Sequence, residues 1–113
     1  DAKNLLQSKW SEIHFGEVIT ERTEKGFSFD ATIFFDDSLK DKISIEIFAM
    51  GIDDGDPEIV KMNLQSTSEY NNEHIYHAEV NTGRMPEDYT LRIIPCYQNI
   101  AVPIEDNLIL WQQ

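Results

Sequence analysis

The chain carries one cysteine, Cys96, in 113 residues. No internal disulfide can form, which excludes the cysteine-stapled scaffolds of small secreted domains and fits a reducing, cytoplasmic compartment. Basic side chains are also scarce: 9 Lys and Arg stand against 21 Asp and Glu, a formal net charge of -12. Nucleic acid and anionic membrane both require clustered cations, so neither is an expected partner. No run approaches the ~18 consecutive apolar residues of a spanning helix, and no segment has the charged start and apolar centre of a signal peptide. Histidines number three.

What remains is ordinary globular material. The chain is 41% hydrophobic and 11% aromatic, enough to fold and long enough for one core, but too short for two domains. Residues 1–9 (DAKNLLQSK) form the one candidate helical piece. They read as the tail of an upstream element, or linker, leading into a single domain over 10–113. The chain begins with Asp1 rather than Met, which suggests a processed or excised piece of a longer protein.

From Trp10 onward the pattern is that of strands. The first is expected over 11–21, with Ile13 and Phe15 on one face and Gly16 marking a bulge. Phe27, Phe29, Ala31, Ile33 and Phe35 then alternate with Ser28, Asp30 and Thr32, the clearest period of two in the chain. Phe34 breaks the polar face. The polar link 36–41 has room for one helical turn. Ile43, Ile45, Ile47 and Ala49 share a face of the next strand. Residues 58–66 read as a single strand carrying Val60, Met62 and Leu64. Residues 73–80 follow with Tyr76, Ala78 and Val80 inward.

The stretch Gly83 to Pro95 reads as a corner followed by a strand ending at a proline. Gly83 permits a positive φ angle, and Pro86 fixes its own φ and extends Met85. Tyr89, Leu91 and Ile93 then share one face, and Thr90, Arg92 and Ile94 the other. A tyrosine opening a central strand after such a turn matches a tyrosine corner, whose hydroxyl bonds to backbone a few residues upstream. An irregular return through Pro103 leads to a last strand over 108–111. About seven short strands with turns between them and almost no helix specify an all-β, immunoglobulin-like antiparallel β-sandwich.

Chemistry-bearing patterns are sparse. His74 and His77 fall on opposite faces of a strand and cannot share a metal. His14 stands apart in sequence, no cluster has zinc spacing, and no G-x-S-x-G elbow occurs. No catalytic or cofactor-binding residue is therefore assigned in this chain. The run Asp53-Asp54-Gly55-Asp56 departs from the EF-hand spacing and reads as a turn rather than a calcium loop. Four aromatics, Trp10, Tyr70, Tyr97 and Trp111, are candidates for stacking on a sugar ring, as in starch-binding modules. Trp10 and Trp111 also flank apolar strands, where packing competes with that role.

Tyr89-Thr90-Leu91-Arg92-Ile93-Ile94-Pro95, a short return and Leu108-Ile109-Leu110-Trp111 resemble the C-terminal end of bacterial and archaeal α-glucan phosphorylases of the maltodextrin-acting kind. Those chains close with a strand of the form Tyr-x-Val-Arg-Val-x-Pro, a loop and a final Leu-Ile-x-Trp. The segment Ser38 to Glu46 resembles the family's Leu-x-Pro-x-Asp-Val-x-Val-Glu, although its proline is missing here. Cys96 and Tyr97 follow Pro95 where members often place a histidine. The resemblance implies a parent glycosyltransferase that cleaves α-1,4-glucan with phosphate to give glucose 1-phosphate. It further implies that pyridoxal phosphate and the catalytic residues sit upstream, so that this piece is a non-catalytic accessory domain. Its partner is then the catalytic body of the same polypeptide, with α-glucan a further possible ligand. Gly83, Pro86, Tyr89, Arg92 and Pro95 are structural positions in that reading. On the outer face Arg92 is a solvated charge; in the family reading it pairs with acidic neighbours or with the catalytic body. The alternatives are an autonomous glycan-binding module and an immunoglobulin-like protein-interaction domain.

Overall fold

The structure, a computed structural model, describes residues 10–52, 55–68, 71–97, 100–101 and 109–112, with backbone alone at 97, 100 and 101. The expected helical tail over 1–9 lies outside the described residues. Nine strands occur among them: β1 His14–Arg22, β2 Gly26–Phe34, β3 Ile43–Ala49, β4 Glu58–Lys61, β5 Asn63–Ser68, β6 Glu73–Asn81, β7 Thr90–Tyr97, β8 Ile100–Ala101 and β9 Leu110–Trp111. They form two antiparallel sheets. The first has the order β1-β2-β6-β5. In the second, β4-β3-β7 continues to β8 and β9, which both pair with β7. The all-β sandwich read from the sequence is the fold found.

Alternation sets the core. Phe27, Phe29, Ala31 and Ile33 of β2 and Tyr76, Ala78 and Val80 of β6 face Ile43, Ile45 and Ile47 of β3 and Leu91 and Ile93 of β7. Burying each such large side chain contributes about 1.5–3 kcal/mol before the entropy of ordering it is subtracted. The bulge read at Gly16 is present: the β1–β2 register shifts between Phe15 and Val18. A Cβ at Gly16 would lie 2.6 Å from the Phe34 ring, so the glycine lets that ring lie across the strand. The polar link forms one 3-10 turn, Asp37–Leu39, with the Asp36 carboxylate accepting from the Ser38 N–H at 2.9 Å and Leu39 buried beneath.

Three expectations need correction. The strand read as 58–66 is two strands that belong to different sheets. Met62 donates its N–H to the Ile45 carbonyl at 2.8 Å, while Asn63 and Leu64 already pair with His77 and Tyr76. Alternation could not show the switch. Val60, Met62 and Leu64 all point into the space between the sheets, whichever sheet holds the backbone. Second, no described glycine has a positive φ; the left-handed position is Asn72, at 57°. Gly83 turns the chain without that freedom, and nothing lies within 4 Å of where its Cβ would be.

Third, Pro95 does not end its strand. It pairs with Ile43 in the interior of β7, which continues to Tyr97. Cys96 donates to the Lys42 carbonyl on the β3 side, so the nitrogen of Pro95 is directed to the opposite side. There, among the described residues, the ladders run from Arg92 and Ile93 to β9 and from Cys96 and Tyr97 to β8. Pro95 falls between them, which is how a central strand accommodates a residue without an N–H.

Candidate functional site

β7 lies between β3 and β9, so an outward side chain at its centre has neighbours on both sides. The register sets Glu46 of β3 opposite Arg92, and Arg92 opposite Trp111 of β9. Phe48, two residues beyond Glu46, occupies the same face. Arg92 donates from Nε to Glu46 Oε1 at 2.9 Å, and a second guanidinium nitrogen lies 2.8 Å from the same oxygen. The guanidinium carbon sits 4.7 Å from the Phe48 ring centre and 5.6 Å from that of Trp111. Those two rings meet edge to face at 5.5 Å. Arg92 is only 8% exposed. The solvated-charge reading of Arg92 is thus overturned: Phe48 and Trp111 flank the guanidinium and Glu46 neutralises it.

The outer face of this sheet is unusual further along as well. Ser44, Ile94 and Cys96 share it and are buried, although Ile94 and Cys96 lie outside the core cluster. The opposite end is open: Trp111 is 39% exposed and Ile59, paired with Phe48, is 48% exposed.

Tyr89 has the position expected of a tyrosine corner but not its bond. Its ring packs edge to face on Phe27 at 5.3 Å. Its hydroxyl donates to Glu58 Oε2 at 2.9 Å, a side chain of β4 rather than nearby backbone. Arg84 completes the group, with a guanidinium nitrogen 3.5 Å from the same carboxylate and the ion's centre 5.4 Å from the Tyr89 ring. Burial pushes the Tyr89 hydroxyl above its ordinary pKa; Glu58 adds to this, while Thr82 and Arg84 oppose it. Burial likewise pushes Tyr76 up to about 12, helped by Asp41.

The three histidines are kept apart. His14 stacks on Phe34 at 4.8 Å. His77 contacts Asp30 at 2.7 Å on the outer face of the first sheet. His74 is fully buried and stacks on Phe35 with ring centres 3.7 Å apart. Its Nε2 lies 3.1 Å from the Phe35 carbonyl and its Nδ1 3.2 Å from the Thr67 hydroxyl. The carbonyl accepts from Nε2–H, so Nδ1 accepts from Thr67, the neutral tautomer. Burial holds the His74 pKa below 6.5. Its inward direction follows from the strand period, but its depth was not legible: the pattern shows a polar residue next to Ile75, not the carbonyl waiting inside. Among the described residues no three His, Cys, Asp or Glu side chains are grouped to hold a metal ion. Asp53 and Asp54 lie outside the described residues.

Of the four sugar-stacking candidates, Tyr70 and the side chain of Tyr97 lie outside the described residues. Trp10 is half-buried and packs against the core. Trp111 is exposed on the second sheet. A groove of about 400 Å³ runs between the open edges of the two sheets, lined in part by His14, Phe15, Val18, Trp111 and Gln112.

No helix among the described residues is long and apolar enough to cross a membrane. No family model matches the chain, and neither a curated protein nor a solved structure matches it.

Proposed function

We propose that the chain is a non-catalytic accessory β-sandwich of a cytoplasmic α-glucan phosphorylase-like enzyme. In this reading the parent performs phosphorolysis of α-1,4-glucan to glucose 1-phosphate in an upstream catalytic body that holds pyridoxal phosphate. No residue of this chain is assigned to the cofactor or to the chemistry. One observation carries the reading. The two stretches that resemble the family's C-terminal end, Tyr89 to Pro95 and Leu108 to Trp111, are distant in sequence, yet β7 and β9 pair with Arg92 opposite Trp111 and Ile93 opposite Leu110. The shared Arg and Trp therefore serve a single structural purpose, which gives a physical reason for the two motifs to occur together. The strand order supports an immunoglobulin-like sandwich. β1-β2-β6-β5 against β3-β7-β9 follows the ABED and CFG sheets of that fold, with β4 in the place of the extra strand beside C.

The test is phosphorolysis by the natural polypeptide that contains this chain. Incubated with maltodextrin, inorganic phosphate and pyridoxal phosphate, it should release glucose 1-phosphate, while the 113-residue chain alone releases none. A natural polypeptide that folds, takes up the cofactor and forms no glucose 1-phosphate overturns the proposal. A second reading, an autonomous glycan-binding module, draws on the exposed Trp111 beside the groove. It predicts that the isolated chain is retained on amylose and that Trp111→Ala is not; the accessory-domain reading predicts no retention of either.

A further inference from the structure

β4 pairs with β3 only from Glu46 to Ala49, and the chain leaves the second sheet at Met62. Ile43 and Ser44, at the start of β3, therefore have β7 on one side and no strand on the other among the described residues. A cavity of about 260 Å³ opens at this gap and reaches between the sheets. Ile45, Met62 and Leu64 give it an apolar wall. Tyr76 and Ser44 also line it, and both are more than nine-tenths buried, at 6% and 4% exposed. Neither hydroxyl has a hydrogen-bond partner among the described residues. No described polar side-chain atom is at once sealed from solvent and without a partner. Both hydroxyls therefore touch open space, and the cavity is the space these residues line. Buried hydroxyls are ordinarily bonded, so two unbonded ones on one cavity are a feature that a bound molecule would explain.

The walls narrow the chemistry of that molecule. Burial pushes the Tyr76 hydroxyl up to about 12, with Asp41 adding to the shift, so at neutral pH the hydroxyl keeps its proton and donates. Ser44 is a second donor. Lys40 and Lys61 are exposed at the rim and have no ion-pair partner among the described residues; Glu46, opposite Lys61, is bonded to Arg92. Asp41, also at the rim, opposes an anion, but two cations stand against one carboxylate. An apolar cavity of about 150 Å³ holds benzene, so this one has room for a ring or a short branched chain with a head group. We propose that the cavity binds a small organic acid, its apolar body against Ile45, Met62 and Leu64 and its carboxylate on the Tyr76 and Ser44 hydroxyls beneath Lys40 and Lys61. The site shares no residue with the groove beside His14 and Trp111, and it does not depend on a parent enzyme.

Titration of the isotope-labelled 113-residue chain with phenylacetate and with isocaproate, followed by NMR, tests it. Salt of about 0.15 M screens the chain's formal charge of -12, which repels any anion at a distance. The amide signals of Ser44, Met62 and Tyr76 should shift and saturate with a Kd of about 1 mM or tighter for at least one of the two acids. Tyr76→Phe removes a hydroxyl that bonds to no described residue, so the melting temperature should hold while affinity falls about tenfold, as for the loss of a hydrogen bond to a charged group. Ser44→Ala gives a second variant, with an expected loss of about threefold or more. Phenylacetamide, nearly the same shape without the charge, should bind at least about tenfold more weakly than phenylacetate. Absence of a saturable shift with both acids up to about 20 mM overturns the proposal. So does undiminished affinity in both variants, or phenethylamine binding as tightly as phenylacetate, which would assign the site to a cation. Shifts confined to His14 and Trp111 also overturn it, because they place the acid in the groove instead.

Discussion

Removing the Arg92 side chain is the most direct probe of the cluster on the second sheet. Arg92→Ala leaves the Glu46 carboxylate in a site where the two side chains are only 10% and 11% exposed. Breaking a buried pair from one side costs about 3–5 kcal/mol, because the remaining charge stays desolvated without a partner. The alkyl stem and the guanidinium contacts with Phe48 and Trp111 are lost too, and a cation over aromatic rings contributes about 0.5–2 kcal/mol. Lys61, the cross-strand neighbour of Glu46 on β4, can supply partial compensation. The lower end, about 3 kcal/mol, is therefore the expected loss. For a domain of this length that corresponds to a fall of about 12 °C in the melting temperature. Urea unfolding of the isolated chain, with the slope checked for constancy, measures it. The double variant Glu46→Gln/Arg92→Met removes both charges while keeping volume, and should recover to within about 1.5 kcal/mol of the parent. A loss below about 1 kcal/mol for Arg92→Ala would place the pair with ordinary surface salt bridges and refute the argument.

Tyr89→Phe removes the hydroxyl that donates to Glu58 and keeps the ring on Phe27, so urea unfolding should register about 1 kcal/mol. A loss above about 3 kcal/mol would mean the hydroxyl holds more than this one bond. Gly83→Ala should be neutral or stabilise by about 0.4–1 kcal/mol, since its φ is not positive and its Cβ meets nothing. Gly26→Ala should instead destabilise by about 2 kcal/mol or more, because its Cβ would overlap the Val80 carbonyl oxygen in the β2–β6 ladder; melting temperatures rank the two. His74 supplies a pH dependence. Its folded pKa lies below the unfolded 6.5, so the unfolded chain binds the proton more readily. The stability it contributes is whole above pH 6.5 and is lost as pH falls from there through the folded pKa. His74→Gln should flatten the decline in urea midpoint between about pH 7 and 5, and an unchanged slope would exclude this histidine as its source.

The face assignments were legible because the strand period is fixed by geometry. Ile45, Ile47, Leu91 and Ile93 could only share a side, and the bulge at Gly16 announced itself as a glycine inside an otherwise alternating run. The sheet each strand joins was less legible. Across Met62 the inward residues of two facing sheets continue one period of two, so the pattern is identical whether or not the backbone changes sheets. Turn chemistry misled at Gly83 for a related reason. Glycine permits a left-handed turn without requiring it, and here Asn72 holds that conformation.

The candidate site was the least legible part, and Arg92 shows why. Alternation placed it on the outer face, and an outer charged residue is ordinarily solvated. Two further facts decide its burial, and each joins residues far apart in sequence: Glu46 stands opposite on β3, and Trp111 stands opposite on β9. Neither pairing can be read from one strand alone. A weak sign was present, since three of the outer positions near Arg92 hold Phe48, Ile94 and Trp111. Three large apolar residues on a face that should be polar indicate a face that is covered. At Ile94 the cover is already in place, while at Trp111 and Ile59 it is not. That difference, more than any single residue, divides the outer face of the second sheet into a covered end and an open one.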